Sequence, residues 1–201
     1  HFLYNSLQSI GTLALKANGT KVYTLLTSLA GIMRYSMNMK EDIVPLSHEI
    51  RHVKSYLQLQ KQRFDDQFNF HLVIQKETEG IFVPKMILQP IVENCFKHGF
   101  DQHTDKQSII ISAAVQENGM LKISVKDNGA GVTDEQLSDI RHELYSGTEK
   151  SSASIGLKNI YDRLVIYYRN QADFSIYKNG EEGFVVSMSI PVEMPKEGNK
   201  P

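Results

Sequence analysis

The sequence predicts an α+β protein, in which a helical hairpin precedes a two-layer sandwich of helices on a mostly antiparallel sheet. Three patterns lead to this prediction. Apolar residues recur at helical spacing through residues 1–38, and from Phe68 onward they alternate with polar residues in several short segments. Asn-Gly pairs, which favour tight hairpin turns, join two pairs of these alternating segments. Helical stretches lie between the strands, as in domains whose helices cover one face of an antiparallel sheet.

Length and composition are those of an ordinary soluble globular chain of one or two small domains. The chain has 201 residues, of which 41% are hydrophobic and 22% are charged. Its formal net charge of -1 gives no electrostatic attraction for nucleic acid, which we do not expect as a partner. The single cysteine, Cys95, excludes an internal disulfide and suggests a reducing compartment.

Residues 1–40 are predicted to form the hairpin, with a turn at Asn18-Gly19. The apolar face of the first helix comprises Leu3, Leu7, Ile10 and Ala14, and that of the second comprises Val22, Leu25, Leu26, Leu29, Ile32 and Met33. One hairpin cannot bury this much apolar surface, so we expect two hairpins to pair as a homodimeric four-helix bundle. His1 and Asn5 fall on the side of the first helix that points away from this core.

A third helix is predicted at 47–64, with Ser47 as its N-cap. It contains the H-E-x-x-H spacing of zinc proteases in His48, Glu49 and His52. Both histidines are expected on the side opposite the apolar stripe, where a zinc ion would sit in solvent. We therefore interpret this motif as a solvated helix face and a zinc protease as unlikely. The apolar stripe comprises Leu46, Ile50, Val53 and Leu57.

The remaining periodicity predicts the sheet and the helices that cover it. Strands are predicted at 68–74, 109–115, 121–125, 173–178 and 184–191. The hairpin turns are predicted at Asn118-Gly119 and Asn179-Gly180. Further helices are predicted at 84–98, 134–145 and 155–169, with a mobile polar segment at 146–154.

The segment Met86–Gly99 is predicted to be a helix that carries reactive side chains. Asn94, Lys97 and His98 fall together on one side, which presents an amide, a cation and an imidazole. Taken alone, this side is better explained as a solvated face with an ion pair between Glu93 and Lys97. The opposite stripe, which is predicted to pack, comprises Leu88, Ile91, Val92, Cys95 and Phe96.

Two glycine-containing segments downstream change that interpretation. Val125–Gly131, read V-K-D-N-G-A-G, follows an alternating strand, and Ser154–Asn159, read S-I-G-L-K-N, opens a predicted helix. Each alone is explained by a tight turn or a helix start. Together with the segment around Asn94, in this order and spacing, they resemble the N, G1 and G2 boxes of the GHKL ATPases. The opening residues, H-F-L-Y-N-S-L, resemble those of the LytS/YesM-type sensor histidine kinases.

The resemblance implies a dimerisation and phosphoacceptor region at 1–40, a GHKL two-layer sandwich that binds ATP at 41–195, and a disordered tail at 196–201. ATP and Mg²⁺ are the implied cofactors. Mg²⁺ needs few protein oxygens beside those of the phosphates, so Asn94 is the expected metal ligand. Glu93 is expected to act through water, Lys97 to contact phosphate and His98 to line the adenine pocket.

The glycine boxes are expected to complete the nucleotide site. Asp127 would accept the exocyclic amine proton of adenine, while Gly129 and Gly131 leave room for the base. Gly156, followed by Leu157, would open a helix whose N-terminal amides suit phosphate, and Asn159 would support this site.

The implied function is that of a sensor histidine kinase in a two-component signalling system. His1 would take the γ-phosphate of ATP and pass it to a response regulator, and Asn5 would orient a water against the phosphohistidine. The expected partners are a second copy of the chain and the response regulator. No run approaches the ~18 apolar residues that span a bilayer. The resemblance implies a fragment from the cytoplasmic side of a bacterial membrane sensor, which reaches the membrane only through upstream segments.

The sequence differs from related histidine kinases at two positions, and it leaves two alternative functions open. Ser154 replaces a glycine common in related kinases, and Phe2 stands where mainstream histidine kinases commonly place an acidic residue directly after the phosphoacceptor. One alternative is a GHKL ATPase that uses hydrolysis to drive a conformational clamp, with Glu93 as the base. The other is a helical dimerisation module with a degenerate nucleotide site.

Overall fold

The computed structural model describes residue 10 and residues 19–37, 42–64, 68–100, 107–146, 152–180 and 182–193. His1, Asn5, most of the first predicted helix, residues 147–151 and the tail lie outside the described residues. The predicted hairpin, homodimer, mobile segment and disordered tail therefore stay predictions.

The described residues form five α-helices and seven strands. The helices are α1 (Gly19–Met37), α2 (Leu46–Arg63), α3 (Gln89–Asn94), α4 (Asp134–Ser146) and α5 (Ser152–Tyr168). The strands are β1 (Ile43–Pro45), β2 (Phe68–Ile74), β3 (Phe82–Pro84), β4 (Gln107–Val115), β5 (Met120–Asp127), β6 (Asp173–Lys178) and β7 (Phe184–Pro191). A π-helical turn, Cys95–Gly99, continues α3. No helix among the described residues is long and apolar enough to cross a membrane.

The predicted sheet is confirmed, with strand order β2-β4-β5-β7-β6. All its pairings are antiparallel except that of β2 with β4. Gly119 and Gly180 adopt φ values of 73° and 72° in the two predicted hairpin turns, a conformation that favours glycine. Alternate residues of β4 and β5 are buried, and they pack with α2, α3 and α5 in one hydrophobic core. The α+β sandwich is thus confirmed. The short antiparallel pair of β1 and β3 was not predicted.

Three predicted helix starts are wrong. Helix α3 begins at Gln89, because Met86 has a φ of 63° and cannot belong to a right-handed helix. The N-cap of α2 is Pro45, without a side-chain cap, so Ser47 does not hold that position. Helix α5 begins at Ser152, three residues before the predicted start. The N-terminal amides of α5 therefore belong to residues before Gly156. The prediction that Gly156 opens this helix is wrong.

The prediction that both histidines of the H-E-x-x-H motif face solvent is wrong for His52. Its side chain is 4% exposed, because Tyr35 of α1 stacks on its ring at 4.3 Å between centroids. Glu49 is fully buried and accepts backbone N–H bonds from Met86, Ile87 and Leu88 at 2.7, 3.0 and 3.1 Å. This carboxylate holds the chain before α3. Within the described ranges, no group of three or more His, Cys, Asp or Glu side chains is placed to hold a metal ion.

Candidate active site

A cavity of about 390 Å³ lies between α3, α4 and the sheet. Its walls are mainly apolar, with a few polar groups that converge on the interior, as is usual for small-molecule sites. The lining side chains come from α3 and its π-helical turn (Ile91, Asn94, Cys95, His98, Gly99), from the sheet and the loop after β5 (Val125, Asp127, Gly131, Val132, Phe184, Val186), from α4 (Gln136, Asp139, Ile140, Glu143) and from α5 (Leu157).

Strand geometry brings the sheet residues of this wall together. Val125 and Asp127 are two residues apart on β5 and therefore point to the same face. Val186 of β7 lies directly opposite Val125 in the antiparallel register. An apolar floor thus ends at a carboxylate.

Asp127 is held rigidly at the end of β5. Its Oδ1 atom accepts the backbone N–H groups of Gly129 at 2.9 Å and Phe184 at 3.2 Å. Burial raises the pKa of this carboxyl above its ordinary value, although the bonds from Gly129, Cys95 and Phe184 oppose that shift. Burial also raises the pKa of the Cys95 thiol well above its ordinary value, and the adjacent charge of Asp127 adds to the effect. Cys95 is buried, as its predicted packing role requires.

The glycines after β5 allow close packing of the backbone. They were predicted instead to leave open space for the adenine base. A Cβ atom on Gly129 would lie 2.1 Å from the carbonyl oxygen of Gly99, so the predicted room for a base beside Gly129 is wrong. Gly131 has a φ of 67°, and a Cβ there would lie 2.9 Å from the backbone nitrogen of Gly183. Ala130 donates its N–H to the Gly99 carbonyl oxygen at 2.7 Å. These close approaches fix the loop against both the π-helical turn and β7.

Helix α3 delivers its polar side chains to different places. Asn94 and His98 line the cavity, whereas Lys97 is exposed and does not line it. Partial burial, with the charge of Lys97, lowers the pKa of His98 below its ordinary value. Glu93 is half-buried and accepts a 2.7 Å hydrogen bond from the side chain of Gln89, which replaces the ion pair considered for a solvated face.

Five of the predicted site residues therefore meet at one cavity: Asn94, His98, Asp127, Gly131 and Leu157. Gly156 lies behind it, where a Cβ would contact Pro90 at 3.6 Å and the side-chain nitrogen of Asn94 at 3.9 Å. Asn159 is exposed and lies outside the lining. Glu93, Lys97 and Gly129 are also outside the lining.

The wall formed by α4 was not predicted from the sequence. Gln136, Asp139, Ile140 and Glu143 follow the i, i+3, i+4, i+7 spacing of one helix face. That spacing was a usable signal, but a polar face is ordinarily assigned to solvent. Glu143 is 8% exposed, which shows that this face is partly turned inward.

Two family models match this chain. Residues 83–194 match the family model described as "Histidine kinase-, DNA gyrase B-, and HSP90-like ATPase", and residues 1–68 match the model described as "Histidine kinase". The chain is 29% identical over 192 residues to a sensor protein kinase, HptS, of Staphylococcus aureus strain USA300, and equally to that of strain NCTC 8325. These matches cover 96% of this chain but 36% of each relative, so the chain spans about a third of their length.

Solved structures show the same fold at low sequence identity. The histidine kinase domain of a blue-light activated histidine kinase from Erythrobacter litoralis has a TM-score of 0.56 and 14% identity, covering 89% of this chain and 84% of that one. The catalytic domain of the histidine kinase ThkA has a TM-score of 0.54 and 16% identity, covering 76% of this chain and 97% of that one. At these identities the likeness supports the fold alone.

Proposed function

This chain belongs to the histidine kinase-, DNA gyrase B- and HSP90-like ATPase family, and we propose that it is the catalytic part of a sensor histidine kinase. In this proposal it transfers the γ-phosphate of ATP to His1 and then to an aspartate of a response regulator. The relatives are named sensor protein kinases, which supports a sensory kinase. The proposal also places this chain on the cytoplasmic side of a membrane sensor that works as a dimer.

One observation carries the proposal: Asn94 and Asp127 line the same cavity, together with an apolar floor. In our assignment, adenine lies between Ile91 of α3 and Val125 and Val186 of the sheet. The Oδ1 atom of Asp127 is occupied by two backbone N–H groups, so Oδ2 accepts the exocyclic amine of the base.

The residues around Asn94 fit a hydrated Mg²⁺ ion. Mg²⁺ prefers oxygen ligands and keeps several waters, so the amide oxygen of Asn94 and phosphate oxygens suffice. Mg²⁺ held there would neutralise charge on the transferred phosphoryl group. Lys97 is exposed one turn beyond Asn94, where its ammonium group reaches phosphates that extend out of the cavity. Glu93, next to Asn94, acts through water.

The transfer to His1 is an in-line displacement. A lone pair of the neutral imidazole forms an N–P bond as the bond between the γ-phosphorus and the bridging oxygen breaks, and ADP leaves. Phe2 supplies no acidic group beside the ring. None is needed to obtain the neutral form, because free imidazole, with a pKa of about 6.5, is mostly neutral near pH 7.5. In this proposal, Asn5 orients a water that removes the phosphate from the phosphohistidine.

Incubation with γ-labelled ATP tests the proposal. We expect protein-bound label that acid removes and base does not, and we expect His1→Gln to abolish it. Asn5→Ala should slow the loss of label. Steady phosphate release without acid-labile label would instead indicate an ATPase, and label that persists in the His1 variant would overturn the phosphoacceptor assignment.

A further inference from the structure

The side-chain amide of Gln89 lies between His52 of α2 and Glu93 of α3. Its Oε1 atom is hydrogen-bonded to His52 Nε2, and its Nε2 atom donates to Glu93 Oε1 at 2.7 Å. Gln89 is 6% exposed, and Pro90 follows it in the first turn of the helix. A buried amide therefore links a buried imidazole to the residue that precedes Asn94.

The chemistry of these groups fixes the direction of both bonds. An ionised carboxylate only accepts hydrogen bonds, so Gln89 must turn its NH₂ group towards Glu93. Its oxygen then faces His52, which must carry a proton on Nε2. Burial lowers the pKa of His52 below its ordinary value, so the ring is neutral and its Nδ1 atom carries no proton. That Nδ1 is buried and has no hydrogen-bond partner within the described part of the chain.

The position of His52 is fixed by groups that lie far apart in the sequence. Tyr35 of α1 covers the imidazole and donates its hydroxyl hydrogen to Glu49. Glu49 in turn holds the three backbone N–H groups that immediately precede Gln89. The ring and the start of α3 are therefore fastened to the same turn of α2, which leaves Gln89 little freedom to move relative to either.

We propose that Gln89 is a positioning residue, which, held by His52, orients the carboxylate of Glu93 beside the metal ligand Asn94. The inference rests on the proposed function, because it gives Glu93, the residue that precedes Asn94, a part in phosphoryl transfer. Packing alone does not require this arrangement. An apolar side chain at the same depth would fill the space without leaving a polar ring atom buried and unpaired.

The test compares Gln89→Met with Gln60→Met in the full chain. Both changes replace a buried amide by a side chain of similar length, but Gln60 is bonded to Tyr56 of its own helix at 2.7 Å and has no link to Glu93. Single-turnover transfer from ATP gives the rate, and titration with a non-hydrolysable ATP analogue gives the affinity. We expect Gln89→Met to lower the rate about tenfold or more, with affinity within about twofold, and Gln60→Met to leave both within about twofold.

A double-mutant cycle separates positioning from a merely structural role. If Gln89 acts through Glu93, Gln89→Met should not slow Glu93→Gln any further. His52→Phe retains a ring under Tyr35 but cannot donate a hydrogen bond to Gln89. Like Gln89→Met, it should lower the transfer rate and leave the affinity unchanged. Thermal unfolding of each variant checks that it is folded.

The outcomes distinguish this inference from the function on which it rests. The positioning role is overturned if the fold-losses in rate of the two single variants multiply in the double variant, or if the Gln89 and Gln60 variants have equal rates. The kinase assignment stands in either case. An unmodified chain that binds ATP but never carries acid-labile phosphate overturns the kinase assignment, and the positioning role with it.

Discussion

Replacing Asp127 by asparagine should weaken adenine recognition without unfolding the protein. The Oδ1 atom of Asp127 accepts two backbone N–H groups, at 2.9 and 3.2 Å, and asparagine retains that acceptor. Its NH₂ group then replaces Oδ2 and presents a donor to the amine of adenine, which is also a donor. A hydrogen bond to a charged group contributes about 1.5–3 kcal/mol, which corresponds to an increase of about 10- to 150-fold in Kd.

The pKa of Asp127 predicts the effect on stability. Burial raises this pKa above the ordinary value of 3.8, so the folded state binds the proton more tightly than the unfolded state. The stability that this group contributes is fully present below pH 3.8 and is lost as the pH rises through the folded pKa. At pH 7 the asparagine variant, whose amide is neutral, should be at least as stable as the parent and should lack this part of the pH dependence.

Calorimetric titration with ADP in the absence of Mg²⁺, together with denaturant unfolding at pH 7, measures both effects. Asp134→Asn is the matched control, since Asp134 is exposed on α4, pairs with Lys178 and does not line the cavity. The reasoning fails if Asp127→Asn binds ADP within about twofold of the parent, because one charge-assisted bond contributes more than that. It also fails if the variant is unfolded at pH 7.

Three further outcomes follow from other residues. Asn94→Ala should weaken ATP binding in the presence of Mg²⁺ and leave Mg²⁺-free ADP binding unchanged, which parallel titrations would show; equal losses would contradict the metal role. Leu29 of α1 is buried within the single chain, so Leu29→Glu should lower the free energy of unfolding by several kcal/mol, which denaturant unfolding would show. A parent chain that sediments as a monomer would contradict the predicted bundle. Burial lowers the pKa of His52 below 6.5, so its contribution to stability is complete above pH 6.5 and falls as the pH decreases towards the folded pKa. Unfolding measured between pH 7.5 and 5 should show that fall in the parent and a smaller one in His52→Phe.

Local pattern was sufficient to predict most of the sheet. The alternation of apolar residues in β2, β4 and β5 reflects a period of two that any half-buried strand must have. Asn118-Gly119 and Asn179-Gly180 specify turns whose backbone conformation glycine adopts readily, so the limits of β6 and β7 were also predictable. The end of β5 at Asp127 placed the carboxylate correctly.

Part of the site was predictable because the family resemblance related segments that periodicity alone does not connect. Asn94, His98, Asp127, Gly131 and Leu157 were predicted from three short segments, and they meet at one cavity. No local pattern relates these segments to one another, and it was their order and spacing that connected them. The wall of α4 carried no such signature, and its polar residues resembled a solvated face.

Tertiary structure alone decided the features that depend on distant partners. Helix α3 begins late because Glu49, 37 to 39 residues earlier, holds the backbone N–H groups of the preceding turn. His52 is buried because α1 covers a face of α2 that local spacing assigned to solvent. Gly129 is required by the carbonyl oxygen of Gly99, 30 positions away. Sequence periodicity determines which side chains share a face of a helix or strand, whereas the group that covers the face is set by packing between segments remote in the chain.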